Sequence, residues 1–177
     1  MTTGNAVDTG SSQYLRPVLE EGIYKILDSI DCKNIYTAEL PPLTTEQDFV
    51  NKLQVNRGLA QPEYEGWFMH RRTIASTDSN INSYNQYNTV HGIMIIGLAY
   101  HGTFDESYKY MQDKGEQLFW TLEKNKDILG DGNIKFIDSL GVRYSFEQFG
   151  EMYMYRSETT FDVHRVVNES LGRSYSG

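Results

Sequence analysis

The stretch Thr89-Val-His-Gly-Ile-Met-Ile-Ile-Gly-Leu-Ala-Tyr100 is the most apolar in the chain and most constrains what the rest can build. It falls short of the ~20 residues a membrane helix needs, and His91, Gly92 and Gly97 interrupt it. Its β-branched and apolar content reads as a strand in the centre of a sheet. A long helix follows, from Asp105 to about Asp127, and then two strands, Val142–Gln148 and Met152–Val167, which form a hairpin about Phe149-Gly-Glu151.

The preceding half supplies lighter elements. A first helix begins near Leu15–Pro17, with proline tolerated in the first turn, and ends around Ser29–Lys33. Its apolar positions Leu19, Ile23, Ile26, Leu27 and Ile30 recur at spacings of three and four, which puts them on one face. Asn34–Leu40 reads as a short strand stopped by Pro41-Pro42. Thr44–Leu53 reads as a helix, where Thr45 and Asp48 have the spacing of a capping box. Gln54–Glu65, with Gly58 and Pro62, reads as loop. Gly66–Ser76 reads as a strand. Ser76–Asn88 is rich in Asn and Ser and reads as an extended hairpin loop between antiparallel strands. In the long helix Phe104, Tyr108, Met111, Leu118, Phe119 and Leu122 form the expected buried stripe, with Gly115 where close packing is needed. Gly130-Asp-Gly-Asn133 is a turn, and Ile134–Ile137 a short extended piece. No repeat and no linker divides the chain.

Composition narrows the function classes. The chain has 177 residues and a net charge of -8, with 24 acidic against 16 basic residues. That balance argues against tight wrapping of nucleic acid, which needs clustered Lys and Arg. It is compatible with a surface that nucleic acid slides past. Cys32 is the one cysteine, so no internal disulfide can form, and it reads as a space-filling residue near a helix end. The polar start, Met1–Ser12, lacks the apolar core of a signal peptide.

No constellation of reactive side chains emerges, so no catalytic residue, metal ligand or cofactor site is assigned. His70, His91, His101 and His164 fall on strands or strand ends without zinc-motif spacing. Glu20-Glu21 and Asp105-Glu106 sit at helix starts, where carboxylates are favoured in any case. Glu147 and Glu151 have no partner that would set acid against base. Gly130-Asp-Gly-Asn-Ile-Lys135 lacks the Gly-Lys-Ser/Thr ending of a phosphate loop. Arg71-Arg72 is the one strong basic pair and reads as a solvated strand edge rather than a nucleic-acid reader; in a functional role it would pair with acidic residues of a neighbouring subunit. Thirteen tyrosines and two tryptophans exceed what a core of this size needs. Aromatics, Met and Arg are enriched at protein interfaces. Arg71, Arg72, Tyr84, Tyr87, Tyr153 and Tyr155 are therefore the candidate contact residues.

The order helix, strand, helix, strand, long loop, strand, long helix, strand, strand resembles the tail terminator proteins of tailed bacteriophages. The residues closest to the pattern run from Asp131 to Val167. They comprise a turn after the long helix, then Gly141-Val-Arg-Tyr-Ser-Phe146 leading into a glycine turn, then Glu151-Met-Tyr-Met-Tyr-Arg-Ser-Glu-Thr-Thr-Phe-Asp-Val-His-Arg-Val-Val167. The resemblance covers residues 14–167 through architecture rather than a sharp motif. It implies an α+β fold, with a twisted, mostly antiparallel sheet of four to five strands and helices packed on it. The domain so implied spans residues 13–167; the polar residues 1–12 and 168–177 read from their composition as a flexible arm and a flexible tail. The resemblance further implies a structural virion protein, assembled in the host cytoplasm. That protein forms a homo-hexameric ring at the tail–neck junction, stops growth of the tail tube protein and docks the neck connector proteins. Double-stranded DNA would pass through its lumen without sequence-specific binding. Neither catalysis, a cofactor nor a membrane is implied. The alternatives are another neck component (a head-completion stopper or a tube-joining protein), a monomeric binding domain, or a small enzyme.

Overall fold

A computed structural model describes residues 15–37, 45–55, 62–77, 86–124, 134–149 and 152–168. Along the chain these form α1 (Leu15–Ser29), β1 (Ile35–Tyr36), α2 (Glu46–Leu53), β2 (Glu63–Thr77), β3 (Gln86–His101), α3 (Phe104–Lys124), β4 (Ile134–Phe149) and β5 (Met152–Asn168). The sheet order is β1-β2-β3-β5-β4, so β3 does take the central place. β1 joins β2 in parallel, and every other pairing is antiparallel. The fold is α+β, with an open, mixed, mostly antiparallel sheet and helices packed on it.

Both faces of the sheet are covered over part of their length. On one face, α1 contributes Leu19, Ile23, Ile26 and Leu27, and α3 contributes Met111, Leu118 and Leu122. They pack on Trp67, Ile93, Ile95, Phe161 and Val163. On the other face, Phe49 and Leu53 of α2 pack on Tyr64, Phe68, Leu98 and Met154. Each fully buried aliphatic or aromatic side chain contributes about 1.5–3 kcal/mol of transfer free energy. Gly97 lets α3 approach the sheet: a Cβ there would lie 2.6 Å from both Met111 and Trp67. Gly115 does the same for Tyr144, whose hydroxyl would be 2.5 Å from an added Cβ.

Local chemistry explains the helix starts. The Thr45 hydroxyl accepts from the Asp48 amide at 3.1 Å, and the Asp48 carboxylate accepts from the Thr45 amide at 3.2 Å. This is the reciprocal pattern expected from the spacing. Thr103 caps α3 in a similar way, accepting from the Glu106 amide at 3.3 Å. After α1 the chain reverses through Asp31 and Asn34, both with positive φ, a region Asx residues tolerate.

Several expected boundaries are corrected. Glu63–Glu65 belong to β2 rather than to a loop, and Val55 donates to the Glu63 carbonyl at 2.9 Å. Ser76, Thr77 and Gln86–Asn88 are strand, because the β2–β3 ladder runs on to Thr77 and Asn88. Within Asn34–Thr37 only Ile35 and Tyr36 are strand. Ile134–Ile137 and Val142–Gln148 are one strand, not two. A bulge between Asp138 and Gly141, where Ser139 takes a positive φ, absorbs the break that Asp-Ser-Leu-Gly announced. Residues 1–14, 125–133 and 169–177, including the expected arm, the Gly130–Asn133 turn and nearly all of the tail, lie outside the described residues.

Candidate assembly interface

β4 is the outer strand of the sheet. It pairs along one side with β5, and no strand borders its other side among the described residues. A long open edge leaves a row of backbone donors and acceptors available to another chain.

An aromatic patch lies beside that edge. The Phe104 ring, on the first residue of α3, stacks on Phe146 of β4 with centroids 4.8 Å apart. Beneath them Tyr155 meets Phe146 edge-on at 4.9 Å, Tyr108 edge-on at 5.0 Å and Tyr144 at 6.3 Å. Tyr155 is only 6% exposed, yet its outer partners Phe104 and Phe146 are 52% and 53% exposed. Tyr153 adds a further ring at 57%. Burial, and secondarily the neighbouring Tyr108, raises the Tyr155 hydroxyl pKa, so the ring stays neutral. The patch is thus a rigid base of packed rings with an apolar rim in water. Such rims mark interaction sites.

The six candidate contact residues do not form one surface. Tyr153 lies on the exposed rim, whereas Tyr155 is its buried floor. Arg72 is exposed on β2 at a bulge, where the register shifts between Arg71 and Thr73. Arg71 turns the other way, and its guanidinium donates to His91 Nδ1 at 2.7 Å. The opposite ring nitrogen of His91 lies 2.9 Å from Thr89 Oγ1. With Nδ1 accepting, Nε2 carries the proton and donates to Thr89. Burial first, then the charges of Arg71 and Arg165, lowers the His91 pKa to about 4. Tyr87 takes its place in β3 opposite Val167. Tyr84 lies outside the described residues.

Phe104 and Phe146 are not among the contact residues expected from the sequence. Phe104 reads as part of the buried stripe of α3, but the buried row is Ser107, Met111, Gly115, Leu118 and Leu122. Phe104 and Tyr108 form a parallel row displaced by one position toward the β4 edge. The signal available in the sequence was that this stripe starts with a serine.

Elsewhere several titratable groups are engaged in structure. The buried Glu65 carboxylate accepts from the Lys33 amide (3.0 Å), the Trp67 indole (2.7 Å) and the Tyr110 hydroxyl (2.8 Å). It ties the end of α1, the sheet and α3 together. Burial, with Glu65 next, raises the Tyr110 and Cys32 pKa values far above their ordinary range, so Cys32 is an inert thiol. On the face away from α1 and α3, Arg156 bridges Glu147 (3.2 Å) and Glu158 (2.9 Å), and His164 lies 3.1 Å from Asp138. Among the described residues no group of three or more His, Cys, Asp or Glu could hold a metal ion. None of the described helices is long and apolar enough to cross a membrane. Comparison with known proteins finds no matching family model and no matching curated protein.

Proposed function

We propose that this chain is a tail terminator of a tailed bacteriophage. It closes into a ring of identical copies on the head-proximal end of the tail tube, halts addition of tube protein and presents the surface on which neck proteins dock. The observation that carries this reading is the open β4 edge with exposed Phe104, Phe146 and Tyr153 beside it. Extended edges and anchored aromatics are what a chain needs to join other chains. The α+β architecture and the Asp131–Val167 sequence pattern support the same assignment. The net negative charge suits a channel through which DNA slides without being held. No enzymatic step is part of this function, and the described polar clusters act as structural joints.

The experiment is native mass over a concentration series, with negative-stain images, in the presence and absence of purified tube protein. Rings with a DNA-wide channel, or discs seated on tube ends that stop elongation, are the expected result. A chain that neither self-associates nor binds tube ends overturns the reading. Phe104→Ser with Phe146→Ser should weaken association by on the order of 10²-fold, from about 1–2 kcal/mol per lost anchor. Near-ultraviolet circular dichroism should still report a packed core in that variant. Association at the wild-type level would remove the patch from the interface.

A further inference from the structure

The sheet has a second open edge. β1 borders β2 only at Trp67 and Phe68, so Met69–Thr77 has no strand on its outer side among the described residues. Successive antiparallel pairings β2–β3, β3–β5 and β5–β4 make β4 run opposite to β2. A second copy placed edge to edge with the same face upward therefore brings its β2 alongside β4 in antiparallel sense, and the alternation continues unbroken.

The side chains at the two edges match. Ile74 is 62% exposed and pairs with His91, whose other neighbour, Val163, belongs to the α1–α3 core, so Ile74 lies on the face that carries those helices. Phe146 lies on that face too, stacked on Phe104 of α3. Directly opposed same-face residues on adjacent strands stand within roughly 5 Å of one another; Phe146 is level with Glu65 across the sheet, so a stagger of nine residues between copies (65 to 74) sets Ile74 opposite Phe146. Met69–Thr77 holds His70, Arg71 and Arg72 and no carboxylate, in a chain of net charge -8. Phe104 is followed by Asp105 and Glu106, both exposed.

We propose that β4 of one copy pairs with the Met69–Thr77 edge of the next, with Ile74 set against the Phe104–Phe146 patch. This inference rests on the ring reading and names its joint. The contact is heterologous, so it propagates and closes only by rotation. A two-fold β4–β4 contact would stop at two copies, leave Ile74 uncovered and bring the two acidic helix starts together.

Cysteine pairs test the joint. Ala75 and Ser145 are small, exposed and share the opposite face of the sheet: Ala75 is two residues beyond Thr73, which meets Asp162 across Gly92, and Ser145 pairs with Arg156. Cys32 is buried and stays unreacted. With a short bismaleimide, the Ala75→Cys, Ser145→Cys double variant should give a ladder extending beyond dimer, and each single variant should stay uncross-linked. Dimer from Ser145→Cys alone would establish two-fold β4 pairing and overturn the proposal. An oligomer by native mass that gives no ladder would overturn it while leaving the ring intact. A monomer at every concentration would also overturn it, and tube-end binding would then decide the terminator reading separately.

Discussion

Removing the Glu65 carboxylate should be among the most damaging single changes in the protein. Its two oxygens serve three donors: the Lys33 amide in the α1–β1 connection, the Trp67 indole of β2 and the Tyr110 hydroxyl of α3. In Glu65→Ala the amide and the indole are fixed in place and lose their acceptor, while the Tyr110 hydroxyl can rotate. A buried donor left without a partner costs about 1–3 kcal/mol, so two fixed donors give roughly 2–6 kcal/mol. Against the ~5–15 kcal/mol typical of a domain, that is a large fraction. Glu65→Gln keeps a carbonyl for the two fixed donors, and the Tyr110 hydroxyl can turn to accept from the new amide. Its loss should shrink to the charge-assisted part, about 1–2 kcal/mol. Urea unfolding followed by tryptophan fluorescence separates the two variants, provided the slope with denaturant stays constant. A loss below about 1 kcal/mol for Glu65→Ala would show that the three bonds are replaceable. Equal losses for both variants would also refute the reasoning, because geometry would then not matter.

Two further outcomes follow from the same packing and electrostatics. Gly97→Ala should cost about 1–3 kcal/mol through overpacking against the Trp67 ring, which cannot yield as the Met111 methyl can. Gly141→Ala, whose Cβ would meet nothing closer than Thr160 at 3.9 Å, should leave the thermal midpoint unchanged or slightly raised; equal costs at both positions would contradict this account. For His91, the folded pKa of about 4 lies below the unfolded 6.5. Its contribution is therefore fully present above pH 6.5 and is lost as pH falls toward 4, by about 2–3 kcal/mol in total. Stability measured from pH 7 to 4 should fall less steeply in His91→Gln than in the wild type, and parallel curves would refute the assignment.

What the sequence disclosed was what short-range chemistry decides. The Thr45–Asp48 box, the Leu19–Ile23–Ile26–Leu27 stripe and the need for a small residue at Gly115 all follow from spacing alone. The central place of Thr89–Tyr100 follows from its apolar content. Features set by neighbours distant in the chain did not show. Asp138-Ser-Leu-Gly141 has the composition of a break, but the partner strand β5 runs past it and turns it into a bulge. Ser76–Asn88 looks like loop along its whole length, but the ends are held by the ladder with one another. Tyr153 and Tyr155 look equivalent at a spacing of two, and only the arrival of α3 over Tyr155 separates a floor from a rim. Phe104 looks buried by periodicity because periodicity cannot say where the helix leaves the sheet.

The place of β5 has a consequence for how the molecule comes into being. β5 follows β4 in the chain, yet it sits between β3 and β4 and joins residue 155 to 99 at one end and residue 168 to 86 at the other. Until β5 is synthesised, the β2–β3 hairpin carries its most apolar strand as an exposed edge, and β4 has no strand to join. Pairings this distant in sequence are slow to form, and an uncovered apolar edge is prone to wrong partners. The β4 edge exists as an edge only once β5 is in place. On the proposed reading, a nascent chain cannot offer this edge to another copy before its own sheet is complete, and the order of synthesis itself holds back premature assembly.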